Sequence, residues 1–97
     1  MTFEIKQYTL PYDGQIPGAR GHKKQVIPRG TQIYCITYQD HKFWCGYLKE
    51  DSAKEVANNL ENSLNPNARR HIPLETLLAW NFESEIPLRI HREKALA

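Results

Sequence analysis

The residues of this chain with the widest chemical reach are a concentration of cations and four histidines. Arg20, His22, Lys23, Lys24 and Arg29 stand in the stretch 11–30 against a single acid, Asp13. Cations at this density suit phosphate oxygens, and Gly18 and Gly21 would let a backbone come close. Arg69 and Arg70, with His71, would extend such a patch, as would Arg89 and Arg92. The net charge is only +2, so nucleic acid is permitted as a partner without being required. No helix-turn-helix, zinc-finger or RNP-type pattern accompanies the cations. The same charges would also serve as a solvated surface that keeps a small protein soluble.

His22 with Lys23 and Arg29 has the residue types of a metal-free ribonuclease, which needs a general base, a general acid and cationic groups. His41, His71 and His91 are the other titratable candidates, each with basic neighbours or in a segment that reads as loop or edge. Cys35, His41 and Cys45 lie close together, but structural zinc sites use pairs two to four residues apart. The cysteines therefore read as small buried hydrophobes, and no metal or organic cofactor is expected. Met1–Lys6 has no basic segment leading into an apolar one, and no apolar run approaches the roughly 18–20 residues of a membrane span. The expectation is a cytoplasmic protein with reduced thiols and no membrane contact.

These side chains need a scaffold, and the chain supplies one domain over residues 1–97. Composition is ordinary for a globular protein, with 40% hydrophobic and 25% charged residues, and there is no repeat or low-complexity tract. Residues 3–10 alternate as a first strand that Pro11 ends. Residues 11–30 read as a long basic loop with turn signals at Asp13-Gly14, Pro17-Gly18 and Pro28-Arg29-Gly30. Residues 31–48 form a β-hairpin, its strands Thr31–Tyr38 and Phe43–Leu48 joined by Gln39-Asp40-His41-Lys42. Both faces of the hairpin are apolar or aromatic, so it is central, or covered by helices on one side and something else on the other. Gly46 marks a bulge or a close backbone approach.

A helix over 52–64 follows, with Ser52 as N-cap and Glu55 completing a capping box. Its stripe is Ala53, Val56, Ala57, Leu60 and Leu64, and Asn65-Pro66-Asn67 stops it. A short helix over 73–81 starts at Pro73 and buries Leu74, Leu77 and Leu78. Ile86–His91 would be an edge strand, since Pro87 cannot donate to a ladder. The end, Glu93-Lys94-Ala95-Leu96-Ala97, has no pattern that would hold it. The fold class is α+β, a small antiparallel sheet of three to four strands with two helices on one face.

Ile27-Pro28-Arg29-Gly30-Thr31-Gln32-Ile33-Tyr34 resembles the start of a strand in some bacterial ADP-ribosyltransferase domains. Phe43-Trp44, followed by a helix with Ala53, Lys54 and Ala57, is similar to their next element. Glu83-Ser84-Glu85-Ile86 resembles their Glu-x-Glu turn. The resemblance implies Glu85 as a catalytic carboxylate and Tyr34 in a nicotinamide pocket. The chain departs from that family at Cys35, where an arginine usually follows the tyrosine, and after Trp44, where no Ser-Thr-Ser element stands.

Among the aromatics, Tyr34, Phe43 and Trp44 are expected in the core, which leaves Tyr38 and Tyr47 as the exposed pair. The reading is a small non-enzymatic binding or regulatory protein. Its expected partner is a protein, with nucleic acid as a further candidate, reached through Arg20, His22, Lys23, Lys24, Arg29, Tyr38, Tyr47, Arg69 and Arg70. An open edge strand would give a route to a homodimer. The alternative is a minimal enzyme of the ADP-ribosyltransferase or metal-free ribonuclease kind.

Overall fold

The alternation of Gln32–Tyr38 sets the architecture, because its two side-chain sets enter two different cores. Ile36, Tyr34 and Tyr38 join one apolar cluster, and Ile33 and Cys35 join the other. A computed structural model describes residues 2–93. It contains β1 (Glu4–Thr9), β2 (Gly14–Ile16), β3 (Gln25–Ile27), β4 (Gln32–Tyr38), β5 (His41–Phe43), β6 (Cys45–Gly46), α1 (Glu50–Ser63), α2 (Leu74–Asn81), β7 (Phe82–Glu83) and β8 (Arg89–Ile90). The fold is α+β. One four-stranded sheet is antiparallel, in the order β1-β4-β5-β7, and the other is mixed, in the order β3-β2-β8-β6.

The first core lies between the antiparallel sheet and the two helices. Ala53 and Ala57 are fully buried, so α1 seats closely on the sheet, and Val56, Leu60 and Leu64 pack beside them. Leu77, Leu74 and Leu78 bring in α2. The Phe3 backbone N–H donates to Glu61 Oε1 at 2.9 Å, tying the lead-in of β1 to α1. The second core, Leu10, Ile16, Ile27, Ile33, Cys35 and Ile90, lies between β4 and the mixed sheet. The hairpin is thus covered by helices on one side and by a second sheet on the other.

Several expectations are corrected. Residues 11–30 are not a continuous loop: β2 and β3 pair within them, Gly14 to Ile27 and Ile16 to Gln25. Strands of three residues are too short to show a period in sequence. The Ile86–His91 strand reduces to β8, which is interior to its sheet, between β2 and β6. Pro87 stands before the paired residues, so its missing N–H removes no ladder bond. The helix begins at Glu50 with Lys49 as N-cap and no side-chain cap. Ser52, expected as that cap, instead donates its hydroxyl to Glu93 Oε2 at 2.6 Å. Pro73 is the N-cap of α2. Most of the tail expectation, Lys94–Ala97, lies outside the described residues. Among the described residues no helix is long and apolar enough to cross a membrane.

Candidate functional site

The cations of the stretch 11–30 occupy the hairpin between β2 and β3. Ala19 and His22 close its tip through paired backbone hydrogen bonds of 3.2 and 2.7 Å, and Gly21 takes a φ of 81° that favours glycine. Arg20, His22, Lys23 and Lys24 are all exposed around this tip. Arg29 lies at the other end, where its backbone N–H donates to Asp13 Oδ1 at 2.9 Å. The one acid of the stretch therefore braces the base of the hairpin and, among the described residues, forms no ion pair. Arg92 holds the hairpin from outside, its Nη2 donating to Pro17 O at 3.1 Å and to Lys23 O at 3.0 Å.

Other expected residues lie elsewhere. Arg69 and Arg70 are exposed in the connection between α1 and α2. No hydrogen bond between side chains or backbone among the described residues joins them to the hairpin. Tyr38 is half-buried, its ring centroid 6.3 Å from that of Phe3 in an edge-on contact, on the rim of the helix-side core. Tyr47 is a correction: it is 2% exposed and belongs to that core. Its backbone exchanges two hydrogen bonds with Tyr34, at 2.7 and 2.8 Å, and its ring lies 5.1 Å from His91. Burial, above all, pushes the phenol well above its ordinary range. Position near a strand end did not mean exposure, because β4 continues alongside it.

Trp44 is the reverse correction. Between the pairs Thr37–Lys42 and Tyr34–Tyr47, β4 spends two residues, Cys35 and Ile36, while the returning strand spends four, Phe43 to Gly46. This bulge carries Trp44 out of the hairpin ladder, and its N–H donates instead to Asn81 O at 2.8 Å. That bond ties Trp44 to the end of α2, beside Trp80. Trp44 is 38% exposed and Trp80 83%. Gly46 permits the crossing, since a Cβ there would stand 2.9 Å from Ile33 Cδ1.

The two tryptophans line one side of an open groove of about 760 Å³. Glu83 and Glu85 follow in it, and Ile86, Pro87, Leu88 and Arg89 lead to Tyr12. This far wall is fixed by Tyr12 Oη donating to Ile86 O at 2.6 Å and by Gln15 N–H donating to Leu88 O at 2.8 Å. Arg89 projects its guanidinium to 5.0 Å from the Trp44 ring centroid, a cation–π contact. Leu88 and Arg89 also line a second hollow of about 360 Å³, with Gln15, Pro17, Gly18 and Lys24. The groove and the basic hairpin are therefore contiguous, and they meet at Leu88-Arg89.

No family model, no curated protein and no solved structure matches this chain. The ribonuclease set is not assembled: His22 is at the hairpin tip and Arg29 at its base. The ADP-ribosyltransferase set is not assembled either, because Glu85 lines the groove and Tyr34 does not. Among the described residues, no group of three or more His, Cys, Asp or Glu side chains could hold a metal. Cys35 and Cys45 are free and buried, and burial pushes both thiols up to about 12. The Lys42 charge opposes that shift at Cys35, and the Arg89 charge opposes it at Cys45.

Sequence reasoning missed Tyr12, Trp44 and Trp80 as surface residues. Two signals were present. Gly46 two residues after Trp44 marked the irregularity, and Trp80, at about 100° per residue, falls more than a quarter turn off the Leu74–Leu77–Leu78 stripe.

Proposed function

We propose that this protein is a non-enzymatic binding module that captures a protein partner in the groove between Trp44, Trp80 and Tyr12. One observation carries the reading. Among the described residues five large apolar side chains are exposed, and four of them, Tyr12, Trp44, Trp80 and Leu88, line this one groove. Scattered exposed apolar residues need no explanation, but a contiguous set does. Tryptophan, tyrosine and arginine are also the residues that dominate protein-binding energetics. The basic hairpin beside the groove supports a role in drawing an acidic partner toward it.

A protein partner is favoured over nucleic acid by Glu83 and Glu85, which would repel a phosphate chain laid along the groove. The test is affinity capture on the immobilised chain from a lysate of the native host, with and without nuclease, beside a Trp44→Ala/Trp80→Ala double variant. A protein retained through nuclease treatment by the native chain and lost by the double variant supports the reading. Retention of nucleic acid alone, or equal retention by both chains, overturns it.

A further inference from the structure

We propose that the segment bound in this groove is acidic and apolar at once. A carboxylate is held by Arg89 and Lys24, and a neighbouring large apolar side chain sits against Trp44 and Trp80. The inference rests on the groove being a protein-binding surface and names what part of a protein it takes.

Arg89 decides it. The guanidinium is held over the Trp44 indole, which positions it and fixes one of its faces. No acceptor among the described residues takes its N–H groups, and the ion pair found there, Lys54–Glu50, lies elsewhere on α1. A positioned guanidinium with free donors is a carboxylate receptor, because its planar fork matches two carboxylate oxygens. Lys24 faces the adjoining hollow that Arg89 also lines. Its backbone is braced by Arg92, which donates to the neighbouring carbonyls of Pro17 and Lys23. Gly18 keeps the hollow open: a Cβ there would come within 3.3 Å of the Lys24 backbone nitrogen.

The acids of the groove limit the charge of the ligand. Glu83 and Glu85 line it together with Arg89 and the tryptophans. A chain carrying negative charge along its whole length would meet them unfavourably. A segment with its acid at the Arg89–Lys24 end and apolar groups beyond would not. The mixed charge of the lining therefore favours a short acidic cluster next to apolar residues over a uniform polyanion.

The test is selection of short random linear peptides on the immobilised full chain, followed by affinities of the enriched peptides for native protein and for Trp80→Ala, Arg89→Glu and Lys24→Glu. All three positions are exposed, and unchanged thermal melts confirm that the variants fold. Enriched peptides should place Asp or Glu beside Trp, Phe or Leu. They should weaken about tenfold or more on Trp80→Ala and on Arg89→Glu, and by roughly threefold on Lys24→Glu. Peptides without acids, or insensitive to Arg89→Glu yet lost on Trp80→Ala, overturn this inference and leave the groove reading intact. Peptides indifferent to Trp80→Ala, no enrichment above background, or displacement only by single-stranded oligonucleotide overturn both.

Discussion

The aromatic groove and the basic hairpin share Leu88 and Arg89, yet they are built in opposite ways. The groove is anchored to the folded interior: Trp44 is fixed through Asn81 O, Tyr12 through Ile86 O and the far wall through Leu88 O. The hairpin's charges stand in solvent without ionic partners among the described residues, and Arg92 secures only its backbone. Rigid apolar groups lose little entropy on contact and give affinity, whereas solvated charges act over distance and give association rate. On the proposed reading, holding falls to the groove and steering to the hairpin.

Four outcomes would sharpen or break that division. The largest effect belongs to Trp80→Ala, which should weaken partner binding by about 2 kcal/mol, roughly 30-fold, with no loss of thermal stability. Calorimetry and a melt check both halves. A lower melting temperature with unchanged affinity would return Trp80 to the scaffold.

Arg92→Ala comes next. Removing two donors to backbone carbonyls should cost about 1 kcal/mol of stability and lower affinity no more than about twofold, because Lys24 loses its fixed carrier but keeps its charge. Hydrogen exchange should rise at Gly18–Lys24 and not at the groove. If the whole chain loosens, the hairpin is not a separable element.

Arg20→Glu with Lys23→Glu touches only the steering side. Association should slow about threefold to tenfold at low salt, with the difference vanishing at high salt and dissociation unchanged. A change in dissociation rate would make the hairpin a contact surface.

The smallest effect on either surface is that of pH, because it acts on the core beneath both. Cys35 and Cys45 stay protonated in the folded chain up to about 12, while free thiols titrate near 9.0. Folding is thus favoured by protonated thiols below pH 9, and this contribution is lost as pH rises through about 12. Melting temperature should fall across that window, and less steeply in Cys35→Val.

How much of this was legible in the sequence depended on element length. The stripe Ala53–Leu64 and the two-faced alternation of Gln32–Tyr38 each span enough residues to show a period, and both stand in the structure. β2, β3 and β8 have two or three residues each. They are stabilised by long-range partners such as Gln15 with Arg89, which local pattern cannot reveal. The same limit hid the groove. Face parity counts along a regular strand, and it sent Trp44 inward until the bulge at Phe43–Gly46 took it out of the ladder. Tyr47, three residues on, counts as exposed near its strand end, but its pairing with Tyr34 buries it. The cations were legible as a cluster because charge density needs no geometry. Their relation to the aromatics was not, because Leu88-Arg89 and Lys24 are distant in sequence.

The chain contains two tryptophans, and both line the same groove. Intrinsic emission excited at the indole band will therefore come from this surface alone. In the free protein it should lie toward the red, dominated by Trp80 in water. A ligand that dries the groove should shift it to the blue, while an ion condensing on the distant hairpin tip should leave it unmoved. The protein thus carries its own optical probe of the groove proposed to bind.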